Sequence, residues 1–132
     1  MSNGEKLPPA DMESAILRDH LFEQVVLYGE GHSYLIALAV LNTEQWHVVA
    51  QQAGVRPDLK ESLGDPRVEQ QVLQRIAEQI REFPGYAKVR RVSLSLEPWS
   101  VENGLQTATL KLKRARVFER YEKEIAHLYA GH

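Results

Sequence analysis

A stretch near the C-terminal end of the chain concentrates groups that bind anions. It carries four cations, at Lys111, Lys113, Arg114 and Arg116, and two hydroxyl groups, at Thr107 and Thr109. An ammonium meets phosphate as a point charge, and a guanidinium can donate two parallel hydrogen bonds to it. The stretch is therefore a candidate anion site. A solvated basic helix face is the alternative.

The cations of this stretch occupy an unfavourable place in the predicted secondary structure. Lys113, Arg114 and Arg116 fall in the first turn of the last predicted helix. A helix N-terminus carries partial positive charge, so each exposed cation there costs roughly 0.3–1 kcal/mol. A bound anion would offset that cost. A second basic pair, Arg90-Arg91, lies on a predicted strand, where the two side chains point to opposite faces and are expected to be solvated.

Other kinds of site are not expected. The chain has no cysteine, which excludes a disulfide scaffold and a thiol nucleophile. No two of its five histidines are three or four residues apart, so no histidine-based metal site is predicted. Glycine-rich phosphate loops and nucleophile elbows are also missing from the sequence. The large aromatic residues are scattered, which favours packing over base stacking, and no nucleic-acid partner is predicted.

The size and composition of the chain are those of one globular domain. It has 132 residues, of which 43% are hydrophobic and 26% charged. The longest apolar run, Tyr34 to Leu41, is too short to cross a bilayer and predicts a strand covered on both faces. The first residues include no apolar stretch that could serve as a signal peptide, so a cytoplasmic location is expected.

Charge is unevenly distributed along the chain. Residues 1–66 contain 4 basic and 10 acidic residues, a net charge of −6, whereas residues 67–132 contain 12 and 8, a net charge of +4. Such asymmetry favours an anionic partner for the second half, or an interface between an acidic and a basic surface. Scattered solvated charge is the alternative.

The elements that must position these groups follow from hydrophobic spacing and helix caps. A short helix after Pro9 precedes two strands that form an antiparallel hairpin around Gly29 and Gly31. Asn42 and Asp65 are predicted to cap the next two helices. A half-exposed strand through Val92, an irregular segment and one helix from about Lys113 complete the chain. We predict an α+β fold, a small sandwich of an antiparallel sheet of about three strands plus a hairpin, flanked by helices.

Two segments resemble motifs of the adenylate-forming enzymes, the superfamily of acyl-CoA synthetases, peptide-synthetase adenylation domains and luciferases. Gly4-Glu-Lys-Leu-Pro-Pro-Ala-Asp-Met-Glu13 is similar to the glycine loop and helix that open their small C-terminal domain. Thr107-Ala-Thr-Leu-Lys111-Leu-Lys-Arg114 is similar to the threonine-rich loop that carries their adenylation lysine. Segments between them, such as Glu97-Pro-Trp-Ser-Val-Glu-Asn-Gly104, resemble the long-chain fatty-acid–CoA ligase branch.

The resemblance implies a two-step reaction. ATP and a fatty acid give acyl-adenylate and pyrophosphate, and CoA then displaces AMP. Lys111 would stabilise charge in the first step, with Thr107, Thr109, Lys113 and Arg114 as a supporting phosphate corner. After a rotation of the domain, the loop at Gly4, Glu5 and Lys6 would line the CoA channel. Ala108 departs from the branch, which usually has proline there, so the loop is expected to be less stiff.

The resemblance also implies that residues 1–132 are a single C-terminal (lid) domain. The large N-terminal domain, which would bind ATP with Mg²⁺ and the fatty acid, is expected to be its partner. The full-length enzyme would be cytoplasmic, with peripheral membrane association as a further option. A stand-alone module of the same fold, which binds an anion or a protein, is the alternative function.

Overall fold

A computed structural model describes residues 9–29, 32, 34–83, 88–106, 108 and 112–130 of the chain. Within these ranges there are five α-helices, one 3-10 helix and three strands. In chain order they are α1 (Pro9–Ile16), β1 (Phe22–Tyr28), β2 (Leu35–Leu41), α2 (Thr43–Ala53), the 3-10 helix (Lys60–Gly64), α3 (Pro66–Gln79), β3 (Val89–Ser95), α4 (Arg114–Arg120) and α5 (Glu122–Tyr129). Helices around a small sheet confirm the predicted α+β class.

The three strands form one sheet with β2 in the centre. β1 and β2 pair antiparallel, with Val26 opposite Leu38, and so form the predicted hairpin. β3 pairs with β2 in parallel, with Val92 opposite Ala37, which corrects the prediction of an antiparallel sheet. The cause is the connection, because the chain passes through α2 and α3 before it returns, and such a crossover delivers the next strand in the same direction.

Strand β2 is the centre of the core because both of its faces are covered. Every residue from Ile36 to Leu41 is buried, as the nearly continuous apolar run predicted. One face packs against α1, α2 and α3, and its core residues include Ala37, Ala39, Met12, Trp46, Val72 and Ile76. The other face packs against α4, α5 and the irregular segment before them, and includes Ile36, Leu38, Trp99, Val117, Ile125 and Leu128. The sheet is therefore the middle layer of three.

The caps of α2 and α3 lie where the sequence predicted them. The side chain of Asn42 accepts a hydrogen bond of 3.0 Å from the backbone N–H of Gln45. Helix α2 ends at Gly54, whose φ of 77° is in the left-handed region that favours glycine. The side chain of Asp65 accepts a bond of 2.8 Å from the N–H of Arg67 and so begins α3.

The last predicted helix is divided into α4 and α5 at Tyr121. This residue has φ −104° and ψ 20°, away from the helical values, although Ile125 still donates to its carbonyl at 2.8 Å. The Tyr121 hydroxyl accepts a hydrogen bond of 3.1 Å from the indole of Trp99. The apolar spacing predicted one continuous helix because Val117 and Ile125 face inward on both sides of the bend.

Candidate functional site

The predicted site residues fall on two segments and the start of α4. Six of them, Gly4, Glu5, Lys6, Thr107, Thr109 and Lys111, lie outside the described residues. Lys113 and Arg114 are described. On either side of residues 107–111, Gln106 and Leu112 form an isolated antiparallel bridge. The N–H of Lys113 donates to the carbonyl of Leu105 at 2.9 Å, so the two ends of this segment are held side by side.

Lys113 is the exposed cation at the start of α4. It occupies the N-cap position, and its side chain makes no capping hydrogen bond within the described part of the chain. The first turn after it contains Arg114 and Arg116 and no acidic residue, as the sequence predicted. This end of the helix therefore combines partial and full positive charge. Whether it binds an anion stays a prediction.

Arg114 is engaged by a carboxylate. Its Nη1 donates to Oε1 of Glu13 at 2.8 Å, and its Nη2 donates to Oε2 at 2.8 Å. The Glu13 side chain is only 10% exposed and that of Arg114 is 38% exposed. The guanidinium also lies over the ring of Phe118, 5.8 Å from its centroid. The positive charge of Arg114, which the sequence assigned to the phosphate corner, is thus balanced by a residue of α1.

Strand β1 joins the same pair through its backbone. The N–H of Leu27 donates to Oε2 of Glu13 at 2.7 Å, and Nη2 of Arg114 donates to the Leu27 carbonyl at 3.3 Å. The only strand that pairs with β1 in the described sheet is β2. The N–H and the carbonyl of Leu27 therefore point outward from the open edge of the sheet. Glu13 and Arg114 satisfy both of them.

Glu13 is the last residue of the motif that begins at Gly4, and the sequence alone predicted no role for it. One signal was present in the sequence. Glu13 stands next to Met12 and close to Ile16, and both of these are buried core residues of α1. An acidic residue on the apolar side of a short helix needs a partner, because an unpaired buried charge is costly. Which of the sixteen basic residues would provide it could not be read from the sequence.

The irregular segment that leads to residues 107–111 is fixed by its own side chains. The N–H of Ser100 donates to Oδ1 of Asn103 at 2.9 Å, and Nδ2 of Asn103 donates to the carbonyl of Pro98 at 3.0 Å. Gly104 follows with φ 79°, a conformation that a residue with a Cβ rarely adopts. Asn103-Gly104, in the segment that the sequence predicted to be irregular, therefore fixes the direction of the chain before Leu105 and Gln106.

The opposite edge of the sheet carries a second carboxylate–arginine pair. Oε2 of Glu69 accepts hydrogen bonds from Nε of Arg91 at 2.8 Å and from the N–H of Val92 at 3.0 Å. Arg91 was expected to be solvated, and this contact corrects that expectation. The strand register brings Arg91 toward the N-terminal turn of α3, where Glu69 lies. Arg90 is exposed, as predicted.

A groove of about 710 Å³ runs along β3, between the 3-10 helix and α5. Apolar and charged side chains both line it, among them Leu59, Leu63, Leu94, Lys123 and His127. It follows the edge of the sheet formed by β3, whereas the Glu13–Arg114 pair lies at the edge formed by β1. The groove is therefore separate from the predicted site.

The described residues form neither a metal cluster nor a membrane span. No three histidine, aspartate or glutamate side chains among them are grouped so that they could hold a metal ion. None of their helices combines the length and apolarity needed to span a membrane.

Comparison with known proteins gives matches along nearly the whole chain. Residues 1–132 match the family described as AMP-binding enzyme C-terminal domain. The chain is 29% identical to probable acyl-activating enzyme 16, chloroplastic, of Arabidopsis thaliana, over 98% of this chain and 18% of that protein. It is also 29% identical to long-chain-fatty-acid–CoA ligase 5 of Rattus norvegicus, over 98% of this chain and 19% of that protein. The chain thus spans less than a fifth of the length of these relatives.

The fold is shared with solved adenylation domains. The A-PCP didomain of carboxylic acid reductase from Segniliparus rugosus, solved in complex with AMP, superimposes with a TM-score of 0.78 at 25% identity. The match covers 98% of this chain and 17% of that one. The adenylation domain of a carboxylate reductase from Mycobacterium chelonae gives a TM-score of 0.73 at 28% identity, over 98% and 19% of the two chains.

Proposed function

The chain belongs to the family of AMP-binding enzyme C-terminal domains, and we propose that it serves as the C-terminal domain of an AMP-forming ligase that joins a long-chain fatty acid to CoA. The overall reaction converts ATP, fatty acid and CoA to acyl-CoA, AMP and pyrophosphate. The family match over residues 1–132 carries this proposal. The names of relatives support the substrate class, since several are long-chain acyl-CoA synthetases or ligases.

In the first step Lys111 acts as the adenylation lysine. It would place its ammonium between the fatty-acid carboxylate and the α-phosphate and stabilise the charge that develops there. The described residues next to Lys111 in the sequence support this role. Lys113, two positions further on, is exposed, and the start of α4 is positively charged. Arg114 contributes differently from the expectation. Its guanidinium holds Glu13, so it supports the segment and leaves contact with phosphate to Lys111, Thr107, Thr109 and Lys113.

In the second step the domain uses the segment that contains Gly4 in place of the one that contains Lys111. The loop at Gly4, Glu5 and Lys6 would line the channel through which CoA reaches the acyl-adenylate. A glycine suits a wall of such a channel because the backbone can approach the ligand closely. Alternation between two segments of one domain requires the domain to rotate as a unit. The three-layer core, with β2 covered on both faces, provides such a unit.

The partner of the chain in this proposal is the large N-terminal domain of the same ligase. That domain would bind ATP with Mg²⁺ and the fatty acid. Two relatives are named as chloroplastic and peroxisomal. The cytoplasmic location and the peripheral membrane association expected from the sequence therefore stay predictions.

The test is a comparison of Lys111→Ala and Lys113→Ala in the ligase that carries this domain. Lys111→Ala should reduce acyl-adenylate formation by about a hundred- to thousandfold, as expected when one donor to a developing charge is lost. The same variant should still convert supplied acyl-adenylate and CoA to thioester. If Lys113→Ala has the larger effect on adenylation, the assignment of the lysine is wrong by two positions.

The alternative of a stand-alone module has its own decisive observation. An open reading frame that continues upstream of Met1 into a phosphate-binding loop establishes the ligase. A ribosome-binding signal immediately before Met1, and binding of a polyanion or a protein by the chain alone, would establish the module instead.

A further inference from the structure

The Glu13–Arg114 pair joins the two parts of the chain to which the proposed function gives alternate roles. Glu13 lies on α1, which begins at Pro9, directly after the segment with Gly4. Arg114 is the first residue of α4, directly after the segment with Lys111 and its neighbours. The two residues are 101 positions apart in sequence. The pair therefore connects the point where the first segment ends to the point where the second one ends.

The connection is geometrically strict. Arg114 is bound by both of its Nη atoms to both oxygens of Glu13, at 2.8 Å each. A two-pronged arginine–carboxylate contact fixes orientation as well as distance. Leu27 of β1 adds a donor to Glu13 at 2.7 Å and an acceptor to Arg114 at 3.3 Å. These contacts thus hold the start of α4 in place against both α1 and strand β1 of the sheet.

We propose that Glu13 and Arg114 are positioning residues for both half-reactions. The pair holds the start of α4 at a fixed place relative to α1, so that the Lys111 segment and the Gly4 segment rotate as one piece. Neither residue contacts a substrate in this role. The inference rests on the proposed function, because it assigns the two segments to successive steps of one reaction.

A rival role for Arg114 makes the opposite prediction for Glu13. If Arg114 bound phosphate directly, replacement of Glu13 would release its guanidinium for that purpose, and ATP would bind as well as before or better. If the pair positions the segments, replacement of either partner has the same consequence. The variants Glu13→Gln and Arg114→Gln separate these roles, since each removes one charge of the pair and Glu13→Gln also keeps the size of the side chain.

The experiment measures adenylate formation from ATP and fatty acid, and thioester formation from supplied acyl-adenylate and CoA, in the ligase that carries this domain. Both single variants should lower kcat of both half-reactions by on the order of 10–100-fold, as expected for small displacements of reacting groups. KM for ATP should stay within about twofold, because no contact with ATP is removed. The double variant should be no slower than the slower single variant, since the two residues act as a unit.

The chain supplies a matched control at the other sheet edge. Glu69 likewise accepts from an arginine and from a backbone N–H, those of Arg91 and Val92, although through Oε2 alone. Glu69→Gln should lower Tm of the protein by several degrees, as Glu13→Gln should. It should leave both half-reactions unchanged, because Glu69 and Arg91 are far in sequence from the segments with Gly4 and Lys111. If Glu13→Gln is recovered unfolded, Arg114→Lys replaces it, since lysine keeps the charge and loses only the two-pronged geometry.

Each outcome decides the matter. Unchanged half-reactions in Glu13→Gln, a loss confined to adenylation, or equal losses in Glu69→Gln would overturn the positioning role. A raised KM for ATP in Arg114→Gln, with normal kinetics in Glu13→Gln, would overturn it in favour of direct phosphate binding. Failure of the proposed function is distinguishable, because in that case the wild-type protein itself forms no acyl-adenylate from ATP and fatty acid.

Discussion

Gln24 and Trp99 exchange two hydrogen bonds across the domain. Nε2 of Gln24 donates to the carbonyl of Trp99 at 2.9 Å, and the N–H of Trp99 donates to Oε1 of Gln24 at 2.7 Å. The side chain of a residue on β1 thus pairs with the backbone of the irregular segment as a neighbouring strand would. This contact holds Trp99, 2% exposed, against the sheet on the side of α4 and α5.

Gln24→Ala should therefore destabilise the fold by about 1–3 kcal/mol, because it leaves the N–H and carbonyl of a buried residue without partners. Urea unfolding of the chain, followed by tryptophan fluorescence, measures the change. Gln52→Ala on the exposed surface of α2 is the control and should change stability by less than about 0.5 kcal/mol. Equal effects of the two substitutions would show that the exchange with Trp99 contributes nothing.

Asp19 should give the protein a contribution to stability that disappears in acid. Burial raises the pKa of this carboxyl, but hydrogen bonds from Arg75 and from the N–H of Leu21 outweigh burial and hold the pKa below 3.8. A group with a lowered folded pKa stabilises above its unfolded pKa of about 3.9 and stops doing so as pH falls through the folded value. Asp19→Asn should cost about 1–3 kcal/mol at pH 7, between the values for surface and buried pairs.

The measurement is urea unfolding of wild type and Asp19→Asn from pH 7 down to about pH 3. The difference between them should narrow below about pH 4. Asp58→Asn removes the fully exposed pair with Arg56 and should have little effect at any pH. A difference for Asp19→Asn that is constant with pH would contradict the ion-pair explanation.

Tyr129 should ionise only late in an alkaline titration. Burial, and to a lesser degree the neighbouring Tyr34 and Tyr28, raise the pKa of its hydroxyl to about 12. The hydroxyl donates to the carbonyls of Tyr34 at 2.8 Å and Tyr28 at 3.2 Å. Because the folded pKa is raised, the neutral form stabilises the fold below about pH 10, and this contribution is lost as pH rises through 12.

Phenolate absorbance during an alkaline titration tests the assignment. Wild type should show a late step that Tyr129→Phe lacks. Titration curves of identical shape for the two proteins, apart from the missing tyrosine, would show that the pKa of Tyr129 is not raised.

Gly4→Val should separate the two steps of the proposed reaction. A β-branched side chain would narrow the proposed CoA channel, so thioester formation from supplied acyl-adenylate should fall more than adenylate formation does. Stopped-flow measurement of each half-reaction in the ligase gives the ratio. Equal losses in both steps would mean that Gly4 is a turn residue needed for folding.

The 132-residue chain alone should bind ATP weakly and form no thioester. Arg114 is engaged by Glu13, and the remaining cations near α4 make exposed contacts worth about 0–1 kcal/mol each. A few such contacts fall short of the −4.1 kcal/mol that corresponds to a Kd of about 1 mM. Calorimetry with ATP, and an assay with ATP, CoA and palmitate, check both parts. Micromolar affinity would place the nucleotide site on this chain.

Features with local causes were predicted well from the sequence. Asn42 and Asp65 begin α2 and α3 as predicted because a cap depends on residues a few positions away. The apolar run from Tyr34 to Leu41 predicted a strand covered on both faces because it has no alternating polar residues to expose. The candidate site was also proposed from local sequence, since its cations lie close together along the chain, and its role stays a prediction.

Features with distant causes were not predicted. The parallel pairing of β3 depends on the path of the chain through α2 and α3. The spacing of apolar residues along one strand does not show whether that strand runs parallel or antiparallel to its neighbour. Glu13, the partner of Arg114, lies 101 positions away in the sequence. The charges near Arg114 in the sequence are all positive, so Arg114 was predicted to contact a bound anion. The bend at Tyr121 does not interrupt the apolar spacing of the helix. It lies where the Tyr121 hydroxyl accepts a hydrogen bond from Trp99, a residue of another segment.

The carboxylate–arginine pairs at the two sheet edges also bear on how the domain behaves among many copies of itself. A strand with free N–H and carbonyl groups recruits strands from other molecules. Here an intruding strand could pair at Leu27 only after it displaced Glu13 and Arg114, and at Val92 only after it displaced Glu69. Both open edges of the described sheet are thereby protected against pairing with strands of other copies of the domain.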